Sequence, residues 1–285
     1  MSAGYSLHVG LNHVNASSYG GWPGTLQACE SDARAMRAIA TSLGYASTIL
    51  LTEEATARKV IAAITKAAKA MQPGDAFLLT YSGHGSQVPD TNGDEARADA
   101  GELGEVADKK DETWVLYDRM LIDDELWALW SLFPAKSRIV VLSDSCASGS
   151  VTKGLQEPWD APPSSAAEQF ASKRMPLDVE ERTYKGHRRT YDAIQKRVPA
   201  RQSSVVDASV VLVSGCQDNQ LSRDGKVNSL FTRRLLQVWA NGTFHGSIKE
   251  LHERTRAAMP RDQQPNLYTV GKANRSLLAA PALRI

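Results

Sequence analysis

The chain has 285 residues, 42% of them hydrophobic, and 33 basic against 32 acidic side chains leave a formal net charge of +1. That is enough apolar material for a folded core, which excludes disorder throughout, and the balanced charge gives no global electrostatic case for nucleic acid or a membrane surface as partner. Cys29, Cys146 and Cys216 are odd in number and lack paired spacing, no apolar run is long enough to span a bilayer, and Met1-Ser2-Ala3-Gly4 lacks the regions of a secretion signal, so free thiols and a cytoplasmic location are expected.

In chain order, Ser6 to Leu11 reads as a first strand, followed by a turn-rich loop through Ser17 and Gly24. Leu26, Cys29, Ala33, Met36, Ala40 and Leu43 recur at three- and four-residue steps and predict a helix that closes at Gly44. Ser47 to Leu51 is a second strand, and Val60, Ile64, Ala67 and Met71 mark a second amphipathic helix stopped by Pro73-Gly74. The apolar run Ala76 to Tyr81 follows as a buried strand. From Asp90 to Glu112 the chain is a polar, carboxylate-rich loop; Thr113 to Tyr117 resumes strand character, and Leu126, Leu129 and Trp130 mark a short helix after Asp123-Asp124. Arg138 to Leu142 is a further buried strand. Residues 151–205, with Pro158, Pro162-Pro163 and Pro176, show little periodicity and predict a long irregular insertion. Ser209 to Ser214 restores the sheet, helices follow over Leu230 to Trp239 and Ile248 to Met259, and Leu267 to Val270 closes the pattern. Strand and helix alternating in this way predict an α/β fold in one domain over residues 1–285, with a mostly parallel central sheet flanked by helices on both faces.

Two of the buried strands end on reactive side chains. One runs into Ser82-Gly83-His84-Gly85 and the other into Ser143-Asp144-Ser145-Cys146. Strand carboxyl ends are where open α/β sheets carry their chemistry, so the histidine and the cysteine are expected to meet in one cleft. Imidazole takes the thiol proton, the thiolate attacks a carbonyl, and the imidazolium protonates the leaving group. The small neighbours Ala147, Ser148 and Gly149 suit an exposed nucleophile with backbone N–H groups nearby for an oxyanion. Asp144, two residues before Cys146, lies on the same strand face and suits a cationic substrate side chain. For Asp32, near a helix start, the macrodipole alone is a sufficient alternative reason.

Tyr81-Ser82-Gly83-His84-Gly85-Ser86-Gln87 and Asp144-Ser145-Cys146-Ala147-Ser148-Gly149 resemble the histidine and cysteine boxes of the metacaspases, within the caspase-like peptidases. Leu26 to Ala33 is similar to that family's first-helix segment and Ser214 to Gln220 to its segment after the following strand; Ala147 departs from the histidine usual there. The resemblance implies a caspase-like fold and a cysteine endopeptidase with His84 and Cys146 as its dyad, cleaving proteins or peptides after Arg or Lys. It implies an acidic pocket formed by Asp32 and Asp144 with Ser82 and Cys29, with Asp218 a further candidate. No cofactor is required for the chemistry. The family's calcium binding points to Asp94, Asp111 and Glu112 as hard oxygen ligands, against the alternative of a solvated acidic loop; Asp90 to Gly101 misses the EF-hand register. Regulated zymogens of the family imply self-cleavage within 151–205, at Lys153, Lys173-Arg174, Lys185, Arg188-Arg189, Lys196-Arg197 or Arg201. A monomer is the expected state. The rival readings are a silent scaffold of the same fold, a thiol acyl-transfer enzyme such as a peptide ligase, and a zinc site of Cys29, His84 and Cys146.

Overall fold

A computed structural model describes residues 2–93, 109–146, 171–198, 205–217, 220–272 and 274–285. Its centre is a six-stranded sheet of β1 (Gly4–Gly10), β2 (Ala46–Leu51), β3 (Ala76–Ser82), β7 (Arg138–Asp144), β8 (Ser209–Ser214) and β9 (Asn266–Gly271), in the order β2-β1-β3-β7-β8-β9. All neighbours are parallel except β8 and β9. Every residue of β3 is buried, as a central parallel strand covered on both faces requires. Alternate side chains therefore feed two cores. Leu79, Tyr81, Ile139 and Val141 face α2 (Ala57–Ala70), α3 (Asp123–Trp130) and α4 (Leu177–Arg197), while Leu78, Val140, Leu142 and Val211 face α1 (Cys29–Ser42), α5 (Leu230–Trp239), α6 (Ile248–Ala257) and α7 (Asn274–Ala279). The caspase-like α/β reading of the sequence holds in this architecture.

The helix ends follow local chemistry. Thr56 caps α2 by accepting the Lys59 N–H at 3.3 Å, and Ser247 and Glu250 form a reciprocal capping box on α6. Ala28 has no side chain to cap α1; instead the distant Asp224 carboxylate accepts the N–H groups of Gln27 at 2.6 Å and Ala28 at 3.2 Å. A smaller antiparallel sheet of β4 (Gly85–Pro89), β5 (Lys110–Val115) and β6 (Met120–Ile122) begins directly after His84.

The predicted irregularity of 151–205 is corrected over part of its length. Residues 177–197 form the 21-residue helix α4, and the segment before it lies along the strand ends: Ser172 bridges Arg223 and Arg174 bridges Gly85. The helix hides from a hydrophobic reading because its buried positions include Glu180, Thr183 and Gln195 beside Val179 and Tyr191, and because the backbone kinks at His187. Residues 151–170 and 199–204 lie outside the described residues.

Candidate active site

The register of the central sheet brings the two motifs together. β3 and β7 are adjacent, and their last pair is Ser82 with Asp144. Two residues further along each chain stand His84 and Cys146, both buried. The imidazole is oriented from the loop after β1. Nε2 lies 3.2 Å from the carbonyl oxygen of Gly24, the Trp22 ring is 4.7 Å away centroid to centroid, and Nδ1 is buried without a hydrogen bond. An Nε2–H donating to Gly24 leaves Nδ1 as the basic nitrogen. Burial is the main reason the imidazole is pushed down to about 4; the Gly24 bond opposes that shift and the Lys173 charge adds to it. The Cys146 sulfur accepts the Ser222 N–H at 2.5 Å and lies 3.8 Å from the Cys216 sulfur, so the thiol and the imidazole are not hydrogen-bonded to each other.

Beside them the carboxylates of Asp32 and Asp144 face a common point, and that point is filled. Asp32, in the first turn of α1, and Asp144, at the end of β7, are 1% and 2% exposed, and between them lies the ammonium group of Lys173, itself 0% exposed. Lys173 Nζ is 3.1 Å from Asp144 Oδ2 and 3.5 Å from Asp32 Oδ2, and it donates to Ser82 Oγ at 2.8 Å. Ser82 Oγ in turn donates to Asp32 at 2.7 Å. The remaining carboxylate oxygens are satisfied by Asn228, the Ser229 N–H and hydroxyl, and the Ser222 hydroxyl. Burial alone would favour neutral lysine, yet the carboxylates of Asp144, Asp32 and Asp224 together hold Lys173 well above its ordinary range and charged. Cys29 lies at the same wall, its thiol pushed up to about 12 chiefly by burial.

The backbone of that lysine is held as firmly as its side chain. Lys173 O accepts the N–H of Gly85 at 2.9 Å and of Cys146 at 3.4 Å, while its own N–H donates to Ser222 O at 3.0 Å. The Asp224 N–H donates to Ala171 O at 2.8 Å, and the Met175 N–H to Gly85 O at 2.9 Å. Residues 171–175 thus run through the cleft as an added strand, with the Lys173 carbonyl against two converging N–H groups.

Asp32, Ser82, Asp144 and Cys29 lie together, whereas Asp218 and Asp94 lie outside the described residues. The remaining candidate metal ligands, Asp111 and Glu112, are placed apart. Glu112 projects from β5 away from Asp111, into a cavity lined by Trp114 and Tyr268. Asp111 is grouped instead with Asp123 and Asp124 at the start of α3, with one carboxylate oxygen from each within 4.8 Å of the others. Strand alternation explains why neighbours in sequence part company. Among the described residues this is the cluster of potential metal ligands, and Cys29, His84 and Cys146 do not form one. Gly24 and Ser222 were invisible as site residues, and Lys173 was visible only as one of several basic residues at which self-cleavage was expected. Nothing marks a carbonyl, a backbone N–H or one lysine among many before the fold brings them in; the Asp123-Asp124 pair was visible but reads equally as helix-start acids.

A model of the caspase domain matches residues 13–274. Metacaspase-1 of Schizosaccharomyces pombe is 29% identical over 81% of this chain and 57% of its own length, and Metacaspase-1 of Scheffersomyces stipitis is 28% identical over 92% and 69%. The chain thus spans little more than half of the first of these relatives. A crystal structure of a Geobacter sulfurreducens protein superposes with a TM-score of 0.85 at 44% identity, covering 99% of both chains. Caspase-1 of Spodoptera frugiperda shares the fold, with a TM-score of 0.54 at 13% identity over 95% of this chain and 86% of its own.

Proposed function

This chain belongs to the caspase domain family, among relatives that are metacaspases, and from that premise we propose that it is a cysteine endopeptidase cutting after Lys or Arg, with Cys146 as nucleophile and His84 as general base and acid. One observation carries the reading. The chain's own Lys173 sits in the carboxylate pocket while its carbonyl accepts the N–H groups of Gly85 and Cys146, the pose a substrate needs before attack. Cys146 Sγ adds to the carbonyl carbon, the two N–H groups take up the developing oxyanion charge, and His84 delivers the proton to the departing amine. Water then hydrolyses the thioester.

The same pose supports self-cleavage at the Lys173–Arg174 bond and a blocked cleft until it occurs. The other basic residues of α4 are poorer sites, because Lys185, Arg188, Arg189, Lys196 and Arg197 lie in helix and a protease cleft binds extended chain. Wild type should yield a new N-terminus at Arg174 and hydrolyse peptides with Arg or Lys before the bond. Cys146→Ala should stay intact and inactive. Equal cleavage after acidic residues, or activity in Cys146→Ala, would defeat the assignment.

Calcium is the divalent ion that suits Asp111, Asp123 and Asp124, whose charges repel at this spacing and whose oxygens are hard ligands. Bound there, it would brace β5 against α3, next to the strand that starts at Gly85. Added calcium should raise the unfolding temperature of wild type and leave that of Asp124→Asn unmoved; equal shifts would remove the ion from this cluster.

A further inference from the structure

Cys216 takes no part in the chemistry above, yet its position is specific. β7 and β8 are paired through Ser143 and Ser214, and the Gly215 N–H donates to Ser143 O at 2.8 Å, extending the contact past the strand ends. Two residues beyond that pair stand Ser145 and Cys216, and Cys146 follows at once. The Cys216 thiol lies 3.6 Å from Ser145 O and 3.8 Å from the Cys146 sulfur. Neighbouring strands are spaced at about 4.8 Å and one residue along a strand adds about 3.3 Å, so a one-residue offset puts the two Cα atoms about 5.8 Å apart, inside the separations a disulfide tolerates; the sulfurs must then close to about 2.05 Å. Cys216 also lines a cavity of ≈ 200 Å³ together with Ser145, Trp114 and Gln217, which gives a small oxidant room beside the Cys216 sulfur and the residue preceding Cys146.

We propose that Cys216 is the resolving cysteine for Cys146, so that oxidation by a hydroperoxide ends in a reversible Cys146–Cys216 disulfide. The Cys146 thiolate attacks the peroxide's distal oxygen, breaking the O–O bond; sulfur is oxidised to a sulfenic acid and the peroxide is reduced to an alcohol or water. The Cys216 thiolate then attacks the sulfenic sulfur, forms the S–S bond and expels hydroxide, which leaves as water with the proton that Cys216 gave up. Two equivalents of an external thiol reverse the reaction, releasing both protein thiols and one external disulfide. The bond removes the nucleophile while it lasts and spares it the irreversible step to sulfinic acid. Cys29 has no part in this, being buried beside Ser82 with its thiol held protonated.

The inhibitory consequence rests on Cys146 being the nucleophile, but the bond itself does not, so the test reads the bond directly. Purified full chain treated with hydrogen peroxide and digested without reductant should give a Cys146–Cys216 cross-linked peptide and a reduced Cys29 peptide. Dithiothreitol should then restore the lost peptidase activity in wild type, and about tenfold less of it in Cys216→Ser, where Cys146 runs on to sulfinic acid. Absence of the cross-linked peptide from oxidised wild type overturns the proposal, whether or not the variant folds. A cross-link without loss of peptidase activity would leave the bond standing and remove Cys146 from the chemistry.

Discussion

His84 owes its orientation to a carbonyl rather than to a third side chain. Gly24 has φ +53°, and a Cβ there would stand 3.0 Å from the Trp22 ring and 3.3 Å from His84 Cδ2. Gly24→Ala therefore both strains the backbone and pushes the imidazole aside. Misplacement by about 1 Å costs on the order of 100-fold in rate, so kcat should fall steeply while KM changes little, because the carboxylate pocket is built from other elements. A variant whose KM rises at constant kcat would mean that Gly24 serves binding instead. The residues of that pocket were legible only in part. Asp144 follows from its place two residues before Cys146, but Asp32, Ser82 and Cys29 came from family likeness, since no spacing rule joins α1 to β3. Lys173 was legible as a basic residue in a doubtful segment, and its burial depends on carboxylates 29 and 141 positions away.

At the scale of elements, α4 is what holds the lysine segment across the strand ends. Glu180, in its first turn, is buried and accepts from Ser86 Oγ at 2.9 Å, the Gln87 N–H at 3.1 Å, Lys110 at 3.1 Å and Arg174 at 3.1 Å. One carboxylate thus ties β4 and β5 to the residue that follows Lys173. Glu180→Ala removes the carboxylate that faces the nearly buried Arg174 charge, a loss of at most about 3–5 kcal/mol for a buried pair, whereas the half-exposed Lys110 adds little. The unfolding temperature should drop and cleavage at Lys173 should quicken, since the segment is then tethered less. Glu180→Gln keeps the contacts to Ser86 and Gln87 and should fall between. Slower cleavage in a folded Glu180→Ala protein would show that α4 presents the bond instead of restraining it. Apolar runs such as Ala76–Ser82 and the three- and four-residue steps of α1 and α2 made most elements readable, because burial there is apolar. β4 and α4 were not readable, because Gly85-Ser86-Gln87 and Glu180 are buried by polar pairing, which leaves no hydrophobic period.

Across the whole molecule the sheet buries two imidazoles in one layer. His8, in β1, contacts Thr80 Oγ1 at 2.9 Å and Ser6 Oγ at 3.0 Å, and burial pushes it down to about 3; His84 at the neighbouring strand's end is pushed down to about 4 for the same reason. Both are depressed from 6.5, so between pH 6.5 and about 4 the unfolded chain takes up two protons that the folded chain refuses. Stability is therefore whole above pH 6.5 and falls with acidification, by about 1.4 kcal/mol per pH unit for each histidine. Below about 4 the loss continues through His8 alone, until about 3. His8→Gln retains an amide for Ser6 and Thr80 and removes one titrating group. Its unfolding free energy, measured in denaturant from pH 7 to 4, should therefore decline less steeply than that of wild type, by about 1.4 kcal/mol per pH unit over the range where His8 alone makes the difference. Carboxylate titrations are common to both proteins and cancel in the difference. Parallel curves for wild type and His8→Gln would place the acid-sensitive group elsewhere, and a wild-type curve flat down to pH 4 would mean that both imidazoles are hydrated in solution, and with them the inner face of the sheet.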